Sequence, residues 1–298
     1  MATFSIKKLV VFGVGLIGGS FALALRQAGA VGRIVGVGRS AKNLDQALRL
    51  GIIDEASTDP ISAVQDADYV FLATPVGQME TLLKAIGPHL SANVVITDGG
   101  STKQDVAGYA RSGLGDKFPR FVPGHPIAGT EKSGATAADA TLYHQRKVIL
   151  TPELETDPAA IEAVRGAWHT CLADVHLMRP AEHDAVCAAI SHLPHLLAFA
   201  LVDWIANKPN REVLFQFAAG GFRDFTRIAS SSPEMWRDIC LANRAALLTE
   251  LADYRRELAS LQDCLERADA ARLESLFSRA RDTREDWLAR TQSATGNE

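Results

Sequence analysis

Residues 9–25 read LVVFGVGLIGGSFALAL. An apolar run typical of a buried strand meets a glycine-rich turn, and an apolar stretch with helical spacing follows at once. Gly13, Gly15 and Gly18 form the pattern G-x-G-x-x-G. That pattern is weak alone, but between a strand and a helix it marks the first turn of a dinucleotide-binding βαβ unit. The glycines permit a tight turn and bring the backbone close to a pyrophosphate, while the helix start offers free N–H groups and a positive dipole end. Lys7 and Lys8 ahead of the run superficially resemble the charged start of a signal peptide. The placement of the glycines fits the nucleotide turn better. Leu16 and Ile17, inside the turn, join the three glycines as expected cofactor contacts.

Working outward, strands and helices alternate. RIVGVGRS (33–40), DADYVFLATP (66–75), NVVITDGGSTK (93–103) and RFVPGHP (120–126) read as strands running into turns. NLDQALRLG (43–51), QMETLLKAIGPHL and KQDVAGYARSG read as the helices between them. This alternation predicts a Rossmann-type α/β domain with a mostly parallel sheet covered on both faces. KVILTP and DVHLMRP (174–180) are the last expected strands, and from Pro180 onward the pattern is almost wholly helical. We therefore expect a nucleotide-binding domain over 1–179 and an all-α domain over 180–298. The second contains a long amphipathic stretch with leucines near heptad spacing.

Composition narrows the function classes. The chain has 298 residues, 47% hydrophobic, with a formal charge of -4 and no basic segment, so nucleic acid is not an expected partner. Cys171, Cys187, Cys240 and Cys264 are widely spaced and form no CxxC pair, which points to a reduced, cytoplasmic protein. Apart from the fingerprint segment, no apolar run is expected to reach the ~18–20 residues that span a bilayer, so no membrane partner is expected.

The end of the second strand selects the cofactor. NAD-binding folds usually place a carboxylate there, about 20 residues beyond the fingerprint, on the ribose hydroxyls. This chain has Gly38-Arg39-Ser40 instead. A guanidinium beside a hydroxyl suits a 2′-phosphate, so NADP is the expected cofactor. NAD stays usable if Arg39 only stacks on the adenine. Thr74 and Pro75 in ATPVGQ, and Ser101 in TDGGSTK, lie at carboxyl ends of strands, the edge that faces the ligand in open α/β sheets. Ser101 and Thr102 can equally be helix caps.

GHPIAGTEKSG (124–134) places a titratable imidazole in a glycine-rich loop past a strand. His125 is either the acceptor of an alcohol proton or a packing group. In SHLPH (191–195), His192 and His195 share a face if helical, but no further ligand set completes a metal site there and none is expected. His183 and Cys187, four apart, share one helix face. AAGGFRDFTRIASSSPEMW (218–236) gathers Arg223, Asp224, Thr226 and Arg227, and arginine is the residue for bidentate carboxylate recognition.

Together GVGLIGGS, TDGGSTK, GHPIAGTEKSG, SHLPH and GGFRDFTRIASSSPEMW resemble the prephenate and arogenate (cyclohexadienyl) dehydrogenases, and the resemblance covers nearly the whole chain. It implies an NAD(P)-binding domain followed by a helical dimerisation domain, hence a homodimer through the C-terminal helices. It implies oxidative decarboxylation of prephenate or arogenate in tyrosine biosynthesis. His125 matches the catalytic histidine, and Ser101 the serine that orients it and contacts the nicotinamide end. Arg227 matches the arginine that binds the substrate carboxylate. Thr130, Glu131, His195, Gly220, Asp224 and Trp236 match positions lining or closing the pocket. The absence of an acid after the second strand departs from NAD-preferring members. The resemblance shows no regulatory or mutase domain in these residues, which leaves the active site as the place for any feedback by tyrosine.

The nearest alternative is another two-domain NADP-dependent oxidoreductase, of the β-hydroxyacid dehydrogenase or imine reductase type. The former carry a catalytic lysine on the first long helix of the second domain. Here that region, SHLPHLLAFALVDWIANK, has Lys208 alone, at its far end. A nucleotide-sensing binding protein of the same fold need not keep Ser101, His125 and Arg227 together.

Overall fold

The computed structural model describes residues 4–130 and 132–295. The main sheet has β1 (Ile6–Phe12), β2 (Val31–Val37), β3 (Glu55–Ser57), β4 (Tyr69–Leu72), β5 (Val95–Asp98) and β6 (Phe121–Val122). Its strands are all parallel, in the order β3-β2-β1-β4-β5-β6. That is the Rossmann order, with the switch of direction beside β1. The helices between them are α1 (Leu16–Gln27), α2 (Ala41–Arg49), α3 (Pro60–Val64), α4 (Val76–Ile86) and α5 (Gln104–Leu114). The short β3 and α3 were not legible as separate elements.

β4 shows why the strands read as continuous apolar runs. Tyr69 and Phe71 face one buried layer with Phe21 and Trp168, while Val70 and Leu72 face another with Met79 and Leu83. A strand covered on both faces has no polar side to show. Rings fill the first layer tightly: Phe21 and Tyr143 lie 4.7 Å and 5.0 Å from Trp168, centroid to centroid.

A second, three-stranded sheet follows: β7 (Gly124–Pro126) pairs antiparallel with β8 (Lys147–Leu150), which pairs parallel with β9 (Asp174–Leu177). α6 (Pro158–Thr170) joins the last two. Beyond it the chain is helical: α7 (Pro180–Cys187), a π turn (Ala188–His192), α8 (Leu193–Ala206), α9 (Arg211–Gln216), α10 (Gly220–Thr226) and α11 (Pro233–Ala242). Two longer helices, α12 (Arg244–Glu266) and α13 (Ala270–Thr295), complete the chain.

Two compact units result, Met1–Leu247 and Leu248–Glu298. The first extends past residue 179 because α11 packs on α4, with Trp236 and Ile239 joining the core layer of Leu83 and Met79. The second is a helical hairpin. Asp269 caps the start of α13 by accepting from the Arg272 amide at 3.0 Å, and Arg272 donates to Ser260 Oγ at 2.9 Å.

One expectation needs correcting. Pro180–Ala206 is a continuous helical run of 27 residues, long and apolar enough by length and composition to cross a bilayer. It was missed because Pro194 and the histidines interrupt the apolar string, whereas in the structure Pro194 sits just beyond the π turn Ala188–His192 and the helical run continues through it. His183, Asp184 and His192 within this run are buried and hydrogen-bonded to protein groups.

Candidate active site

The fingerprint turn has the geometry its glycines require. Gly13 has φ +88°, and a Cβ there would sit 2.5 Å from the Ala73 carbonyl oxygen; one on Gly18 would sit 2.2 Å from the Gly13 carbonyl oxygen. Only hydrogen fits at either position. α1 starts after Gly15 with no side-chain cap and no acid in its first turn. Its N–H groups are therefore left for an anion, and the residues fit the pyrophosphate of a dinucleotide.

Two depressions meet at this turn. One is lined by Gly13, Gly15, Arg39, Ser40 and Asn43, with no carboxylate among its lining residues. Arg39 is exposed, and Ser40 caps α2 by accepting from the Asn43 amide at 3.2 Å. The other is a cleft of about 420 Å³. Gly15, Leu16, Ile17, Thr74, Pro75, Ser101, His125 and Thr130 line it, so the strand ends bring together most of the expected nicotinamide-side residues. Gly18 lines neither depression; a Cβ there would meet Val11 and Ala73.

The loop after β7 is tied to the fingerprint by side chains the sequence did not single out. Asn43 donates to the Val14 carbonyl at 2.7 Å and accepts from the Ala135 amide at 2.8 Å. Tyr143 donates its hydroxyl to the Ile17 carbonyl at 2.6 Å, and Ser20 Oγ accepts from the Asp139 amide at 2.9 Å. Lys132, Ser232 and Met235 also line the cleft. Glu131 lies outside the described residues.

His125 is held from both sides. Its own backbone is fixed through Gly124, whose amide donates to Asp98 Oδ1 at 3.0 Å and whose carbonyl accepts from Lys103 Nζ at 2.6 Å. Lys103 and Asp98, both fully buried, also pair with each other. The ring of His125 places Nδ1 2.8 Å from His183 Nε2. Among the described residues it makes no hydrogen bond to Ser101. Burial, with the neighbouring His183 and Lys103, holds His125 well below the usual imidazole range, so it is neutral at neutral pH.

Ser101 and Thr102 are not the caps of α5. That helix begins at Gln104, and its first amides are taken by Asp184, which accepts from Lys103 N at 2.8 Å and Gln104 N at 2.9 Å. Spacing gave no hint of this partner, 81 and 80 residues away. The Cys187 sulfur and the facing nitrogens of His125 and His183 lie within 4.8 Å of one another. The 2.8 Å N···N separation is that of a hydrogen bond; two nitrogens on one tetrahedral zinc stand about 3.3 Å apart.

The remaining expected residues lie on the helical segment. His195 donates Nδ1–H to the Ser191 carbonyl at 2.8 Å and stacks on Trp236 at 3.6 Å between centroids. Burial holds His195 below the usual range, and the charge of Arg227 acts in the same direction. Gly220 opens α10, Asp224 lies on its exposed face 3.8 Å from Arg223, and Arg227 is exposed in the following 3-10 turn. None of these five lines the 420 Å³ cleft.

A parallel sheet in Rossmann order, an open helix N-terminus and a neutral histidine in the adjoining cleft define a nicotinamide-dinucleotide-dependent dehydrogenase. Family models agree: the prephenate dehydrogenase nucleotide-binding domain matches residues 21–177, and the prephenate dehydrogenase dimerization domain matches 179–279. The chain is 41% identical to the prephenate dehydrogenase of Bacillus subtilis over 96% of its own length and 77% of that protein. It is 35% identical to the cyclohexadienyl dehydrogenase of Zymomonas mobilis, covering 93% of this chain and 95% of that one. The solved prephenate dehydrogenase of A. aeolicus, in complex with hydroxyphenyl propionate and NAD+, superposes with a TM-score of 0.89 at 37% identity, covering 95% of this chain and 99% of that one. The chain belongs to the prephenate dehydrogenase family.

Proposed function

We propose that this chain oxidatively decarboxylates prephenate, arogenate or both, with His125 as the proton acceptor. The observation that carries the reading is the neutral His125 lining one cleft with Ser101 and the fingerprint residues Gly15, Leu16 and Ile17. A bound nicotinamide supplies a hydride acceptor. His125 takes the proton of the ring hydroxyl as its carbon loses hydride. The carbon–carboxylate bond breaks, its electron pair enters the ring, and CO₂ leaves as the ring becomes aromatic. Aromatisation supplies the driving force, so the protein's task is positioning and charge recognition. Arg227 binds a substrate carboxylate; Thr130, Glu131, His195, Gly220, Asp224 and Trp236 line or close the pocket. Ser101, in the same cleft, orients His125 and contacts the nicotinamide end.

The cofactor is a nicotinamide dinucleotide, and our reading favours NADP with NAD usable. An exposed Arg39 beside Ser40, with no carboxylate among the residues lining that depression, supports NADP. The NAD+ held by the A. aeolicus relative supports NAD more directly. We assign nucleotide binding to 1–179 and substrate closure and dimerisation to 180–298, in line with the two family models. Exposed apolar side chains on the helical segment, among them Trp204, Val213, Phe217 and Phe225, suit a homodimer face. The same partner accounts for the apolar Pro180–Ala206 run without a membrane, and the cytoplasm is the proposed location.

A two-by-two steady-state assay tests the reading: prephenate and arogenate, each with NAD and NADP, followed by reduced nicotinamide. Turnover of at least one substrate is expected, with preference for NADP. No turnover of either, in protein that still binds cofactor, would return the site to another alcohol and the alternative oxidoreductases.

A further inference from the structure

We propose that His183 and Asp184 are positioning residues that lock His125 in the tautomer with a proton on Nδ1 and a bare Nε2, so that Nε2 is the atom that accepts the substrate proton. The proposal rests on the reading of His125 as that acceptor. It comes from counting hydrogens along one buried chain. Asp184 Oδ1 and Oδ2 accept from the amides of Lys103 and Gln104 at 2.8 Å and 2.9 Å. Burial works against its ionisation, but the hydrogen bonds from His183 and those two amides outweigh it and hold the carboxyl below the usual range. An ionised carboxylate donates nothing, so at 2.8 Å His183 Nδ1 must carry the proton.

Burial keeps His183 neutral, aided by the charge of Lys103. Its Nε2 is then a bare acceptor, and it sits 2.8 Å from His125 Nδ1. That nitrogen must therefore donate, which leaves His125 Nε2 with the lone pair. The Cys187 sulfur, 3.5 Å from His183 Nε2, is a second, weaker donor to the same acceptor. Burial pushes its thiol up to about 11, so it stays protonated.

The direction of the chain has a chemical consequence. When His125 takes a proton it becomes an imidazolium whose Nδ1–H points at a neutral histidine backed by a carboxylate. The charge is stabilised through the chain without a second proton moving. Were His183 to present Nε2–H instead, His125 would have to accept at Nδ1 and would present a proton to the substrate. The charged and titratable groups around His125 are His183, Asp184 and Cys187 from α7, His192 from the π turn, Asp98 at the end of β5 and Lys103 beyond it.

Two measurements test this. The first uses the wild-type protein with ring-15N histidine, His125 being assigned by loss of its signals in His125→Asn. Protonated Nδ1 and bare Nε2 at neutral pH are expected; the reverse tautomer overturns the proposal. The second compares kcat, KM and pH profiles of His125→Asn, His183→Leu and His183→Gln. His183→Leu should lower kcat by roughly 10²-fold, with substrate KM within about threefold. It should also move the acidic limb of kcat to lower pH, because the imidazolium loses its acceptor. His183→Gln, whose amide oxygen accepts from Nδ1–H, should recover about tenfold of that loss. If His125→Asn is crippled while His183→Leu keeps kcat within about threefold, the positioning pair is wrong and the base assignment stands. If His125→Asn itself keeps kcat, the acceptor reading fails and takes this proposal with it. Should His183→Leu not fold, the tautomer of the wild-type protein decides.

Discussion

Lys103 Nζ lies 2.6 Å from the carbonyl oxygen of Gly124, the residue before His125. The ammonium is fully buried and its counter-ion, Asp98, is equally buried and holds the Gly124 amide. A buried pair of this kind is weak evidence for stability in itself, but removing one partner strands the other. Lys103→Met should therefore destabilise the fold by about 3–5 kcal/mol and lower kcat through a displaced His125. Denaturant titration and steady-state kinetics check both; a variant as stable as the parent would contradict the role of this pair.

Acid should destabilise the protein through its buried histidines. Burial depresses His192 from 6.5 to about 4, and His125 and His183 move in the same direction. The unfolded chain then binds more protons than the folded one between the folded and unfolded values. Stability is complete above about pH 6.5 and falls as pH drops toward 4, with His192 alone contributing on the order of 3 kcal/mol. Melting temperature measured across that range should fall, and His192→Gln should flatten the dependence.

Arg39 reads the cofactor phosphate if NADP is used. Arg39→Ala should raise KM for NADP by roughly tenfold or more while leaving KM for NAD within about threefold. Equal losses for both cofactors would point to stacking on the adenine instead.

Arg227 is exposed in the turn after α10, where our reading has it recognise a substrate carboxylate. Arg227→Gln should raise substrate KM by ~10–10²-fold, about 1.5–3 kcal/mol, with a smaller change in kcat. A loss confined to kcat would move Arg227 from substrate recognition into the chemistry.

Much of the fold was readable in residues 9–25 alone. The turn of Gly13-Val14-Gly15 makes local demands: a positive φ at Gly13, and no room for a Cβ at Gly18, which would meet the Gly13 carbonyl oxygen. Such demands are met by neighbours in sequence, so spacing reveals them. The continuous apolar runs that announced β1, β4 and β5 are equally local signs of strands buried on both faces. His125 stood out as a titratable ring in a glycine- and proline-rich stretch, but the loop expected there is the short edge strand β7, in which His125 pairs with Ile149.

Only the tertiary structure decided what holds that ring. His183 lies 58 residues from His125, Asp184 lies 81 from the Lys103 amide it accepts, and Asn43 lies 92 from Ala135. In the sequence, His183 and Cys187 were simply two residues on one helix face, and Asp184 an ordinary acid. α7 packing against the start of α5 turns them into the support of His125. Periodicity records which side of an element is buried, but which partner meets it there depends on how distant elements pack, and a hydrogen-bonded chain across them exists only once they have packed.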